Sequence, residues 1–167
     1  MKYLNVACLD VYYYENHAKS CCIVFENGNE KTIISEYCEI VTPIHEYIPG
    51  EFYKRELPCL LRVIEKVQET IDLLIIDSFV WLGNGKKGLG VYLFEALEKK
   101  IPVIGVAKTY FKDCNEYLEV YRGRSNKPLY ISSIGIDLND SAKLVKNLKG
   151  DHRIPDLLKR VDQLTRN

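Results

Sequence analysis

Two acids close apolar runs in this chain. Asp10 ends YLNVACLD and Asp77 ends DLLIID, while Glu56 follows the cations Lys54 and Arg55 in YKREL. An acid at the carboxyl end of a buried strand stands where α/β sheets place their sites. Either one alone reads equally well as a turn or cap acid, and Glu56 as a solvated acid at a helix start. Adjacent strands would bring Asp10 and Asp77 together, with Glu56 arriving from the helix that follows. Three carboxylates in one cleft repel one another unless a divalent cation joins them. An all-oxygen donor set suits Mg²⁺, with Mn²⁺ as a substitute. Such sites hydrolyse phosphodiesters by activating water and steadying the leaving oxygen. Lys108, at the end of IPVIGVAK, would neutralise a transition-state phosphate or pair with one of the acids.

A second motif competes. GNGKKG (83–88) fits the GxGxxG pattern, follows a strand and precedes a helix, so a nucleotide-binding enzyme has to be weighed. Five residues separate it from Asp77, and the next strand ends in Lys108 where a ribose-binding acid is expected. A plain loop with Lys86 and Lys87 in solvent fits better. The other basic residues are scattered: Lys99 and Lys100, then Arg122, Arg124 and Lys127 at a hairpin turn. Tyr12 and Tyr14 share a strand face and would either stack on bases or pack at an edge; packing is the expectation for most of the aromatic residues.

The elements that must position these groups follow from periodicity. YLNVACLDVYY, KSCCIVFE and KTIISEYCEIV read as three strands, the last two joined by a hairpin at Asn27-Gly28. From Pro58, Leu60, Leu61, Ile64, Val67 and Ile71 keep a helical period, so a helix is expected to start at that proline. DLLIID (72–77) and IPVIGVA (101–107) are apolar enough to be strands covered on both faces. A helix carrying Leu89, Leu93 and Leu97 lies between them. LEVYRG and PLYISSIGI make a further strand pair, and two helices follow, from about Ser141 to Leu148 and from Pro155 onward. A meander followed by strand–helix–strand units gives an α/β fold with a mixed sheet and helices on both faces. Residues 1–167 are expected to form a single domain.

Composition narrows the class. With 23 basic and 23 acidic side chains the net charge is zero, so a nucleic-acid partner must use a local patch. The six cysteines show no CxxC pair and no zinc spacing, and several lie in apolar runs. Reduced thiols, a cytoplasmic location and a monomer are expected. No run reaches the roughly 18 apolar residues of a membrane span.

The order of LDVYY, YIPGEFYKRE, LLIIDSF…GLG, IPVIGVAKT and KPLYIS resembles endonuclease V, in a ribonuclease H-like fold, across nearly the whole chain. The resemblance implies a Mg²⁺-dependent endonuclease acting near a deaminated base, inosine, in DNA or RNA. Its cut falls at the second phosphodiester on the 3′ side. On this resemblance Asp10, Glu56 and Asp77 match the metal-binding catalytic acids and Lys108 the catalytic-region lysine. Tyr47, Ile48 and Pro49 match the wedge, on a bend completed by Gly50, and Arg55 matches a phosphate-facing arginine. Ser78 borders the pocket for the flipped base, and Gly50 and Gly88 are further nucleic-acid-binding candidates. The chain departs from the family after Asp77. Gly-His-Gly and His-Pro-Arg are expected there, and DSFVWLGNGKKGLG stands instead. A later Gly-His is replaced in ISSIGID, and His17, His45 and His152 match neither place. The alternative implied is a weakened or inactive member that binds nucleic acid without cutting it.

Overall fold

The computed structural model describes residues 3–167, with the backbone alone for residues 30–32. The chain forms β1 (Asn5–Tyr13), β2 (Ala18–Glu26), β3 (Asn29–Val41), α1 (Phe52–Ile64), β4 (Leu73–Ile76), α2 (Leu89–Ala96) and β5 (Val103–Ala107). It continues with β6 (Leu118–Val120), β7 (Leu129–Ile134), α3 (Leu138–Lys146) and α4 (Asp156–Arg166). The strands make one sheet in the order β3-β2-β1-β4-β5-β7-β6. Strands β1, β4 and β5 run parallel at its centre, and the flanking strands are antiparallel.

Alternation along the central strands divides the core into two layers. Val6 and Cys8 of β1, Leu73 and Ile75 of β4, and Ile104 and Val106 of β5 pack against α3 and α4. Ala7, Leu9, Leu74, Ile76 and Val103 face the opposite way, with Leu60 and Val63 of α1 and Leu93 of α2. Both faces of the parallel strands are therefore dry, which is why their sequences are apolar throughout. The mixed α/β sheet covered on both sides is the architecture the periodicity predicts. None of the helices among the described residues is long and apolar enough to cross a membrane.

Three expectations are corrected. Helix α1 starts at Phe52, not at Pro58, which lies inside it. Proline removes one donor, the partner of the Lys54 carbonyl; burial of Glu56, Cys59, Leu60 and Val63 along one face holds the helix through it. Helix α3 begins at Leu138, because the Asp137 carboxylate caps the amide of Asp140 at 3.1 Å. Cys21 and Cys38, directly opposite in the β2–β3 register, are joined by a disulfide rather than reduced. Cys8, Cys22, Cys59 and Cys114 are free and buried. Burial pushes the Cys22 thiol up to about 12 and the Cys8 thiol well above its ordinary range.

Candidate active site

The parallel register decides where the acids go. Leu9 pairs with Ile76, so Asp10 and Asp77 follow side by side where β1 and β4 part. Both belong to the alternating set whose earlier members face α4, and with Lys108, just past β5, they line one small cavity floored by Leu9, Val106, Ile154, Leu158 and Val161. The Lys108 Nζ lies 3.1 Å from the Asp77 carboxylate. Glu56 comes from the opposite layer, on the second turn of α1, and is only 8% exposed, as is Asp10.

These carboxylates feel one another. Burial, then the charge of Asp77, raises Asp10 to about 7. Burial, then Asp10 and Asp77, raises Glu56 to about 8, against a smaller pull from Arg55. A fourth acid completes the group. Asp162 of α4 shares a hydrogen bond with Asp10 that raises Asp10 and lowers Asp162. Asp162 sits below the usual carboxylate range despite partial burial, because Arg166, Asp10 and Lys108 favour its charged form. The shared bond thus favours the protonated form of Asp10 and the charged form of Asp162.

Sequence reading missed Asp162. Its signal was faint: in DLLKRVDQLTR it stands at helical spacing from Leu158 and Thr165, an acid on the inward stripe of α4. Its neighbour Arg166, four residues on and 3.1 Å away, makes it look like half of a surface ion pair.

The donor set consists of hard oxygens, and burial plus mutual repulsion leaves it short of positive charge; it fits a divalent cation on chemistry. Among the described residues, no three His, Cys, Asp or Glu side chains are already gathered closely enough to clasp an ion.

Beside the acids lies a second cavity of about 260 Å³, which brings together most of the wedge and loop residues. Tyr47 and Gly50 come from the segment before α1, Ser78 and Phe79 from the turn after β4, Gly88 from the start of α2 and Phe111 from the loop after β5. Tyr47 and Ile48 are exposed, and Gly50 takes φ +82°, the left-handed bend that a glycine allows. Gly88 floors the cavity: a Cβ there would stand 2.7 Å from the carbonyl oxygens of Phe79 and Val80. Arg55 is placed differently from the acids. Its guanidinium lies 3.8 Å over the Tyr13 ring and lines a separate cavity with His45 and Arg62.

The GNGKKG segment is a tight turn, not a phosphate cradle. The amides of Gly85, Lys86 and Gly88 already donate to the Glu116 carboxylate, the Gly83 carbonyl and the Val80 carbonyl. Tyr12 and Tyr14 pack against the end of α4: Arg166 lies over the Tyr12 ring, and the Tyr14 hydroxyl donates to the Thr165 carbonyl at 2.8 Å.

A mixed sheet that gathers carboxylates at the ends of its central parallel strands is the arrangement expected of a ribonuclease H-like α/β fold. Comparison with solved structures agrees on the fold. A Bacillus subtilis endonuclease V superposes with a TM-score of 0.81 at 21% identity, covering 99% of this chain and 80% of that one. A Ciona intestinalis endonuclease V, in complex with a 23mer DNA containing an inosine followed by a ribo-adenosine, gives 0.82 at 19% identity, covering 99% and 85%. The Endonuclease V family model matches residues 2–122. Endonuclease V of Clostridium acetobutylicum is 30% identical over 92% of this chain and 76% of its own length, and that of Bacillus thuringiensis is 30% identical over 90% and 74%. The chain belongs to the endonuclease V family.

Proposed function

We propose that this chain is a metal-dependent endonuclease that hydrolyses a phosphodiester on the 3′ side of a deaminated base, inosine, in a nucleic-acid strand. The observation that carries this reading is the side-by-side placement of Asp10 and Asp77 at the ends of β1 and β4, with Glu56 and Asp162 electrostatically joined to them. Family membership and the inosine-containing DNA held by the Ciona relative support the same substrate class. Asp10 and Asp77 would hold Mg²⁺, or Mn²⁺ in its place, with Glu56 and Asp162 bound directly or through water. A bound ion of this kind activates the attacking water and steadies the leaving oxygen.

The chain's own residues do the rest. Lys108, paired with Asp77 at the cavity mouth, presents its ammonium to the scissile phosphate and offsets the charge that develops there. The bend at Tyr47, Ile48, Pro49 and Gly50 enters the strand and separates the target base from its neighbours. The cavity between that bend, Ser78 and Gly88 receives the base. Its volume of about 260 Å³ is close to the lower end of ligand-site volumes, roughly 300–1,000 Å³.

A second reading, recognition without cutting, is favoured by one observation: among the described residues, no three of these acids are gathered closely enough to clasp an ion. The two are separated by incubating labelled single strands of DNA and RNA, with and without one inosine, in Mg²⁺ or Mn²⁺. Cleavage near inosine that is lost in Asp10→Ala and Asp77→Ala establishes the nuclease. Binding with every strand intact establishes recognition alone.

A further inference from the structure

Two large aromatic side chains stand in solvent immediately beyond Lys108: Tyr110 is 56% exposed and Phe111 43%. They do not lie on a soft loop of their own. The Tyr110 ring sits 6.1 Å from that of Tyr130, and Tyr130 packs edge-on against Tyr117 at 5.1 Å. Phe79, nearly buried, lies 6.0 Å from Phe111 and 6.3 Å from both Tyr117 and Tyr130. An inner aromatic layer thus supports two outer rings. Phe111 lines the cavity assigned above to the target base, whereas Tyr110 lies outside it. Register explains the placing: Ala107 pairs with Tyr130, so the end of β5 and the start of β7 deliver Lys108, Tyr110 and Tyr130 to one corner of the sheet. Exposed Lys112 follows the two rings in the chain, and exposed Lys127 precedes β7. Exposed rings on a rigid base, with cations around them, are the equipment with which proteins hold unpaired bases and their phosphates.

We propose that Tyr110, backed by Tyr130, is a stacking platform for an unpaired base adjacent to the one in the cavity, so that the strand bound here is single-stranded on that side of the target. The proposal rests on the nuclease reading and specifies its substrate: a base can lie on Tyr110 only when it is free of its complement.

The test measures binding in EDTA, where hydrolysis is suppressed, by fluorescence anisotropy. Wild type, Tyr110→Ala, Tyr110→Leu and Tyr110→Phe are titrated onto one inosine-containing oligonucleotide, as a single strand and as a duplex. Loss of one stacked base weakens binding about 5- to 150-fold. That loss is expected for Tyr110→Ala and Tyr110→Leu on the single strand, with Tyr110→Phe close to wild type and the duplex little changed. The leucine variant keeps an apolar contact with Tyr130, so a melting curve like that of wild type separates lost stacking from lost folding. Unchanged binding by the alanine and leucine variants, an equal loss on single strand and duplex, or a loss in Tyr110→Phe as large as in Tyr110→Ala would each overturn the platform. Cleavage by wild type is followed in parallel. Cleavage with unchanged variant binding sinks the platform alone, whereas neither cleavage nor binding by wild type sinks the nuclease reading and the platform with it.

Discussion

Replacing Glu56 by glutamine removes a charge that the fold holds at a disadvantage. Glu56 is pushed up to about 8 from an ordinary 4.5, by burial first and by Asp10 and Asp77 after it. An acid whose folded value is raised binds its proton more tightly in the native state than in the unfolded one. Its contribution to stability is therefore full below about pH 4.5 and declines as pH rises towards 8. Between those limits each pH unit removes about 1.4 kcal/mol, so by pH 7 the metal-free protein has lost about 3 kcal/mol through this residue. Glu56→Gln keeps the shape and abolishes the titration. Urea unfolding in EDTA from pH 4.5 to 9 should show the two proteins alike at the acid end. The variant should pull ahead by about 3 kcal/mol at pH 7, and further at pH 8. Adding Mg²⁺ at pH 8 should raise the midpoint of wild type more than that of the variant, since only wild type regains a partner for the buried charge. Parallel pH profiles for the two proteins would refute the reasoning, because they would mean that Glu56 titrates as it does in the unfolded chain.

Other consequences can be measured directly. In Gly105→Ala, the added Cβ would press on the Ser78 carbonyl and stand 2.8 Å from the Ser132 Oγ that accepts from the Val80 amide; a loss of about 1–3 kcal/mol in thermal unfolding is expected. Arg122 is buried and donates to the carbonyls of Lys146, Leu148, Gly150, His152 and Arg153. Arg122→Ala leaves several of those acceptors without donors and should cost about 3 kcal/mol or more in urea unfolding. A thiol reagent should find no fast-reacting group among Cys8, Cys22, Cys59 and Cys114 in the native protein, and four thiols after unfolding without reductant; six would contradict the Cys21–Cys38 bridge.

Much of the architecture was legible because it rests on local signals. The apolar runs of β4 and β5 declared strands covered on both faces, and Asn27-Gly28 declared the hairpin between β2 and β3. What escaped depended on non-local contacts. Proline is a strong local punctuation mark, yet Pro58 is overridden by burial of the α1 face that carries Glu56 and Cys59. Cys21 and Cys38 have no motif spacing, because cross-strand neighbours are set by register and the hairpin between them, not by a fixed sequence interval. Asp162 lies beyond the residues that the family model matches, on a helix whose polar side reads as solvated until α4 is laid against β1.

The site and the core are specified by one and the same register. Successive side chains along a strand point to opposite faces, so the pairing that buries Val6 and Cys8 against α4 also turns Asp10 to that side. The pairing that buries Leu73 and Ile75 does the same for Asp77, and Val106 for Lys108. A slip of one residue between β1 and β4 would move an entire apolar set to the other face and separate the two acids at once. The buried core thus enforces a proximity that electrostatics opposes. Asp10 and Glu56 are held near one another, and near Asp77, although burial and mutual repulsion push both towards their protonated forms. A surface cluster of acids would relieve that repulsion by turning side chains into solvent; Asp10 and Glu56 are each only 8% exposed, on a strand and an α1 face fixed by hydrophobic burial. The strain is local and its remedy is chemical: a bound cation, or a proton, in the place where the parallel strands end.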